Sequence, residues 1–345
     1  MKSASHLTER RKAEHIDICL HRDVASQGVT TGMENYRFRH SALPELDFSE
    51  IRLDTEFLSK PLRAPLMVSS MTGGTQGAAS INRTIAQAAE RRGWAMGIGS
   101  VRAAIEAEEL TGTFRVRDLA PTIPVISNLG AVQLNYGYGV DHCRRAVELA
   151  EADGLVLHLN SLQEVFQPEG NTNFKDLLKR IEEVCRALTV PVGIKEVGWG
   201  ISGEVAAQLF EAGAAFVDVA GAGGTSWSQV EMHRARDQVK AAAAHAFAGW
   251  GLPTADCIVE VRARHPRQTI IASGGLHNGV DAAKSLALGA DLAAFGRSVL
   301  ASAVAAEESL NQLMEQLELE LRIAMFGVGA ANLKQLQKGG YLQRI

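Results

Sequence analysis

Three stretches of the chain repeat one arrangement of apolar and polar positions. AVELAEADGLVLHLN, QLFEAGAAFVDVAG and SLALGADLAAFGR each pass from an alanine-rich helical pattern, through a glycine or acidic turn, into a short apolar strand. Helix followed by strand is the connection that builds parallel sheets. The same strand type recurs at 64–70, 95–100, 124–130, 154–160, 191–197, 216–221, 269–275 and 292–297. Helical spacing predicts helices over about 80–92, 141–151, 174–188, 203–212, 256–265 and 279–288, with a shorter one at 103–110. Eight strands alternating with helices predict a (β/α)8 TIM barrel, with an open doubly wound sheet as the competing architecture. The strands are near-continuously apolar, as helices covering their outer face require.

Outside the repeat lie an N-terminal arm (1–63) and a C-terminal helical segment (301–345), flanking a barrel over 64–300. A long insertion at 222–255 follows the sixth strand. In EESLNQLMEQLELELRIAMF, Leu310, Leu313, Leu317 and Leu321 fall at helical spacing and predict one long amphipathic helix. No composition break marks a second domain, so residues 1–345 are expected to form one.

A barrel gathers the carboxyl ends of its strands on one face and builds its active site there. In this chain those ends are polar or glycine-rich. The fourth strand finishes in His158 and Asn160, two residues apart and so on one side of a strand, with Gln163 and Glu164 expected in the loop beyond. Four convergent polar side chains at the end of an apolar strand point to a substrate site. Glu164 is a candidate magnesium ligand, since magnesium takes one or two carboxylates together with substrate phosphate oxygens. Lys195 lies within the apolar VGIKEV, either paired with a carboxylate or facing a ligand. Asn128 ends the third strand, a position where asparagine also serves as a plain loop cap.

Glycine turns follow the last three strands: GAGGTSW, then SGG with Gly274 and Gly275, then Gly296-Arg297. Glycines let backbone N–H groups approach phosphate oxygens closely, and Arg297 adds a charged donor. In the arm, Arg11 and His15 share a face if the segment is helical, beside Lys12. Cations there matter if the arm folds over the barrel mouth.

Composition removes other classes. The 345 residues carry 35 Lys+Arg against 39 Asp+Glu, a formal charge of -4, and aromatics are 6%. Nucleic acid is therefore not an expected partner. Cys19, Cys143, Cys185 and Cys257 form no CxxC or Cys/His cluster, which fits a reducing compartment. The opening MKSASHLTERRKAEH is charged where a secretory leader is apolar, and no apolar run reaches the ~20 residues of a membrane span. The expectation is a cytoplasmic protein without a membrane partner.

Together RKAEHI, SSMTGGT, GSVRAAIE, SNLGAVQ, HLNSLQEVFQPEGNTNF, PVGIKEVGWGIS, DVAGAGGTSWSQVE and SGGLHNGVDAAKSLALGADLAAFGR resemble the type 2 isopentenyl-diphosphate isomerases, in order over about 10–335. The resemblance implies an FMN-containing barrel that interconverts isopentenyl and dimethylallyl diphosphate without net redox change. It also implies reduced flavin, magnesium, and NADPH or NADH as reductant. Ser70, Met71 and Thr72 would touch the flavin ring, with Ser100, Asn128, Lys195 and Thr225 also lining it. Gly274, Gly275, Gly296 and Arg297 would hold its phosphate. Arg11, Lys12, His15, Arg102, His158 and Asn160 would bind the substrate diphosphate, Gln163 would sit near the reacting carbons, and Glu164 would hold magnesium. Gln163 and Lys195 would be the catalytic pair. A homo-oligomer, tetramer or octamer, is implied as well. Protonating an unactivated alkene is hard for side-chain acids, which is a reason to recruit a cofactor. The rival readings are an FMN-dependent oxidoreductase of the 2-hydroxy-acid oxidase type and a non-catalytic flavin or phosphometabolite binder.

Overall fold

The computed structural model describes residues 2–345, with side chains from residue 10 onward. Helix α1 (Lys2–His21) is followed by β1 (Tyr36–Phe38) and the hairpin strands β2 (Thr55–Phe57) and β3 (Lys60–Leu62). Then come β4 (Leu66–Val68), α2 (Gln76–Arg92), β5 (Ala95–Gly97), α3 (Arg102–Glu106), β6 (Val125–Gly130) and α4 (Val140–Ala150). The next units are β7 (Gly154–His158), α5 (Ser161–Phe166), α6 (Leu177–Ala187), β8 (Val192–Lys195), α7 (Gly203–Glu211) and β9 (Phe216–Asp218). The insertion carries α8 (Trp227–Arg234) and α9 (Gln238–His245), ahead of α10 (Thr254–Arg264) and β10 (Thr269–Ala272). The chain ends with α11 (Gly279–Ala287), β11 (Leu292–Phe295), α12 (Arg297–Ala305), α13 (Glu307–Val328), α14 (Leu333–Gln337) and β12 (Leu342–Arg344).

Strands β4 to β11 form a closed parallel barrel in chain order, β11 returning to β4 through the pairs Ala293–Leu66 and Phe295–Val68. Each barrel strand has two neighbours, so the open-sheet alternative is excluded. The eight strands fall where the apolar runs predict them. Helix α2 starts a turn earlier than expected because Thr75 caps it, its side chain accepting from the Ala78 N–H, and Gly93 ends it at φ 69°.

Inside the barrel Met67, Ile126, Val156, Phe216 and Ile271 meet Phe57 and Leu62 of the β2–β3 hairpin, which forms a floor under the strands. Burying each of these two hairpin side chains contributes about 2–3 kcal/mol. The floor closes one end, leaving the carboxyl ends of the strands as the open face.

The long C-terminal helix falls where its spacing predicts it, as α13, which buries Leu310, Leu317 and Leu321 and packs on α2 and α11. The segment also carries the separate helices α12 and α14 and, unexpectedly, the strand β12. Strand β12 pairs antiparallel with β1, setting Leu342 opposite Phe38. Both strands are three residues long and partly exposed, so neither shows the alternation that marks a strand.

Candidate active site

All eight strand ends open into one cavity, and α1 lies across it. Every site residue expected from the sequence lines this cavity, from Arg11 in the arm to Arg297 after β11. Ser70, Met71 and Thr72 come from the end of β4, and Ser100 and Arg102 from the end of β5.

At β9 to β11 the wall is backbone. Gly275 has φ +73°, and a Cβ there would lie 2.7 Å from the Gly223 carbonyl oxygen and 2.5 Å from Thr31 Cγ2. The turns after β9 and β10 are thus stacked at van der Waals contact, with the chain before β1 behind them. Ser26 N–H donates to Gly224 O, and Ala25 bridges Thr225. Beside this stack, Gly296 precedes the nine-residue α12, and a Cβ on it would meet only open space. Ser298 Oγ, in the first turn of α12, is buried without a hydrogen-bond partner. A helix N-terminus, a glycine cradle and an orphan hydroxyl in one corner fit a phosphate.

Lys195 satisfies both readings of its sequence position. Its Nζ lies 3.0 Å from Asp218 Oδ2 and donates to Ser273 Oγ at 3.2 Å, yet it also lines the cavity. Asn128 is more than a cap: its Oδ1 lies 2.8 Å from His158 Nδ1. Burial, with Lys195 nearby, pulls the His158 imidazole down to about 4. The ring is therefore neutral at pH 7, and with Asn128 Oδ1 as acceptor the proton sits on Nδ1 and the lone pair on Nε2.

Strand β7 ends at His158, and Gln163 and Glu164 lie on helix α5 rather than in a loop. Asn160 caps α5, so the spacings of three and four residues bring all three side chains together. Asn160 Nδ2 donates to Glu164 Oε1 at 2.8 Å and to Gln163 Oε1 at 3.3 Å, while its own buried Oδ1 has no partner.

Helix α1 brings Arg11, Lys12 and His15 to the cavity. Lys12 Nζ donates to Ser100 O at 2.9 Å and lies over the Phe114 ring. Burial, reinforced by Arg11, lowers its ammonium to about 7. Arg11 donates to Gln167 Oε1 at 3.1 Å. His15 Nε2 lies 2.9 Å from Glu231 Oε1, and its ring meets Trp227 edge-on at 5.1 Å.

Two carboxylates behind these groups escaped the sequence reading. Asp218 balances Lys195, and Glu231 joins His15, Gln163 Nε2 at 3.2 Å and Arg234 at 2.6 Å. Burial works against the Glu231 charge, but the His15 ring and Arg234 hold its carboxyl below the usual range. Asp218 had a signal, an acidic residue inside the apolar FVDVAG. Glu231 sits in SQVE on α8, and its partners are 68 and 216 residues away.

A family model for FMN-dependent dehydrogenases matches residues 144–343. Isopentenyl-diphosphate delta-isomerase from Oceanobacillus iheyensis is 53% identical over 328 residues, covering 95% of this chain and 94% of that protein. The protein of the same name from a Nostoc species is 49% identical over 343 residues, covering 99% and 98%. The chain belongs to the isopentenyl-diphosphate delta-isomerase family. Solved structures place the family's fold among flavin barrels. Pediococcus acidilactici lactate oxidase superposes with a TM-score of 0.66 at 17% identity, covering 100% of this chain and 94% of that one. A mandelate oxidase variant with (S)-mandelic acid gives 0.65 at 19%, covering 99% and 97%. At such identity the likeness is one of fold.

The donor set can be tested against the groups the family implies. The corner at α12 fits the FMN phosphate, and the strand ends at β4, β5 and β6 border the space beside it. Among the described residues no group of three His, Cys, Asp or Glu side chains forms a metal cage. One carboxylate, Glu164, suits a magnesium ion whose remaining ligands are phosphate oxygens and water.

Proposed function

We propose that the chain interconverts isopentenyl diphosphate and dimethylallyl diphosphate in isoprenoid biosynthesis, using FMN and with no net redox change. One observation carries the reading: the cavity has two anion grips facing each other across the barrel ring. The backbone corner lies at β10 and β11, and the basic set of α1, Arg102 and His158 lies over β5 to β7. One grip suits the FMN phosphate and the other a diphosphate. A 2-hydroxy-acid oxidase needs arginines for a single carboxylate, so the cluster of partly buried basic side chains favours the isomerase.

Reduced FMN, when bound, would supply a proton to the alkene, accept one back from the neighbouring carbon and set an electron-rich ring against the developing positive charge. The residues do the rest. Lys195, screened by Asp218, would set a cation against the reduced flavin. Ser70, Met71, Thr72, Ser100, Asn128 and Thr225 would border the ring. Arriving diphosphate raises the His158 pKa, so that Nε2 takes a proton and becomes a donor while Asn128 keeps the ring oriented. Arg11, Lys12, Arg102 and His15 complete the grip, with Asn160 beside them in the cavity wall. Gln163, fixed between Asn160 and Glu231, orients the substrate carbon for the second proton transfer. Helix α1 with Trp227 excludes water.

Glu164 would hold magnesium together with substrate phosphate oxygens, and NADPH or NADH would serve as the reductant for the flavin. The whole chain acts as one domain, its ends tied by β1 and β12, and assembles as a homo-oligomer in the cytoplasm. No helix of the described residues is long and apolar enough to cross a membrane. The test is incubation with FMN, NADPH, magnesium and isopentenyl diphosphate in heavy water, without oxygen. NMR should show deuterated dimethylallyl diphosphate; no product would refute the proposal.

A further inference from the structure

The tail of HLNSLQEVFQPEGNTNF, from Gln167 on, has no part in the chemistry above, yet it wraps the site closely. A Cβ on Gly170 would lie 1.7 Å from the Glu164 carbonyl oxygen, so only glycine lets the chain fold back over α5 there. That return delivers Asn171 to the meeting point of three strand ends. Its Oδ1 accepts from Arg102 Nη1 at 3.3 Å, beyond β5, and from Gln133 Nε2 at 3.2 Å, beyond β6. Its backbone N–H donates to Glu164 Oε2 at 2.5 Å, beyond β7. The following residues are stitched to the same wall, Asn135 Nδ2 donating to Asn173 O and Lys175 O, both at 2.9 Å.

Arg102 is also held from its own helix, where Nε donates to Glu106 Oε1 at 2.7 Å, with the Tyr138 hydroxyl donating to the same carboxylate oxygen at 3.2 Å. Glu106 and Asn171 together fix two of the five guanidinium N–H groups and leave the others for a ligand. A guanidinium clamped at two points is already oriented, so less rotamer entropy is lost when an anion binds. We propose that Asn171 is a positioning residue: it aims Arg102 at the substrate diphosphate and locks that cation to Glu164 through one side chain and its own backbone. The proposal rests on reading Arg102 as a diphosphate contact.

A double-mutant cycle tests it, read as the dissociation constant of inorganic diphosphate with magnesium on the FMN-loaded protein. Asn171→Ala should weaken diphosphate about tenfold in the otherwise native protein and less than twofold in the Arg102→Ala background, because its effect passes through Arg102. FMN affinity should stay unchanged, since the FMN corner lies across the ring. Equal weakening in both backgrounds, or none in either, would overturn it. Asn171→Asp keeps an acceptor oxygen in place and should restore the orientation of Arg102, seen as renewed coupling to Arg102→Ala; lack of coupling there would also count against the proposal. Turnover of isopentenyl diphosphate by the native protein is measured beside these titrations. Its absence would remove the isomerase reading without touching the cycle, which needs no turnover.

Discussion

The two anion grips proposed for the cavity are built from different materials. At β10 and β11 the grip is backbone: stacked glycine turns and the start of α12, with Arg297 as the added charge. Over β5 to β7 it is side chain: the basic groups of α1, Arg102 and the neutral imidazole of His158, held by hydrogen bonds between side chains and to one carbonyl. A backbone grip is preformed and does not titrate, which suits a resident cofactor. A side-chain grip carries buried charge that water no longer shields, so it responds to pH and to the arrival of an anion. A substrate that must enter and leave suits the second.

The sharpest break of this contrast is at the glycine stack. Gly275→Val places a branched side chain at φ +73°, where the left-handed backbone alone costs about 1–2 kcal/mol. The Cβ also strikes Gly223 and Thr31. FMN affinity should fall more than a hundredfold in a fluorescence titration; a variant that binds FMN normally would show that the turn is not the cofactor's grip.

Next in size is the reacting end. Gln163→Leu removes the bonds to Asn160 and Glu231 and should lower kcat about a hundredfold while FMN binding is kept, the scale of a misplaced reacting carbon. Full turnover in this variant would remove Gln163 from the chemistry.

A smaller effect sharpens the comparison through pH. Burial lowers Lys12 to about 7, so it is charged below that pH and neutral above it. The KM for isopentenyl diphosphate should rise about tenfold between roughly pH 6 and 8. FMN affinity should stay flat over the same range. Lys12→Arg keeps its charge throughout and should flatten the KM profile; an unchanged slope would assign it to another group.

The smallest expected effect concerns a backbone turn that depends on one side chain. Glu196 Oε2 accepts from the N–H groups of Val197 and Gly198 at 2.6 Å and of Trp199 at 2.5 Å, closing the turn after Lys195. Burial raises the Glu196 carboxyl to about 7, so Glu196→Gln, which keeps the shape without the charge, should cost about 1–3 kcal/mol in urea unfolding at roughly pH 8. Unchanged stability would mean that the turn holds itself.

The contrast also explains what could be read from the sequence. The eight strands were legible because strands buried on both faces are short uninterrupted apolar runs, and the glycine turns because their chemistry is local. The positions that line the cavity were legible for the same reason, since barrel topology alone collects the strand ends. The partners were not. Glu231 and Asn171 act across dozens of residues of chain, and pairing at that range leaves no periodic trace; Asp218 left one local mark, an acid inside an apolar strand. Helix α5 went unread because six residues are too few to show helical periodicity, and β12 because it alternates on no buried face.

The most direct measurement counts product against reductant. In an anaerobic reaction with FMN, magnesium and limiting NADPH, many molecules of dimethylallyl diphosphate should form for each NADPH oxidised. One product per NADPH would mean net redox chemistry and would contradict the isomerase account.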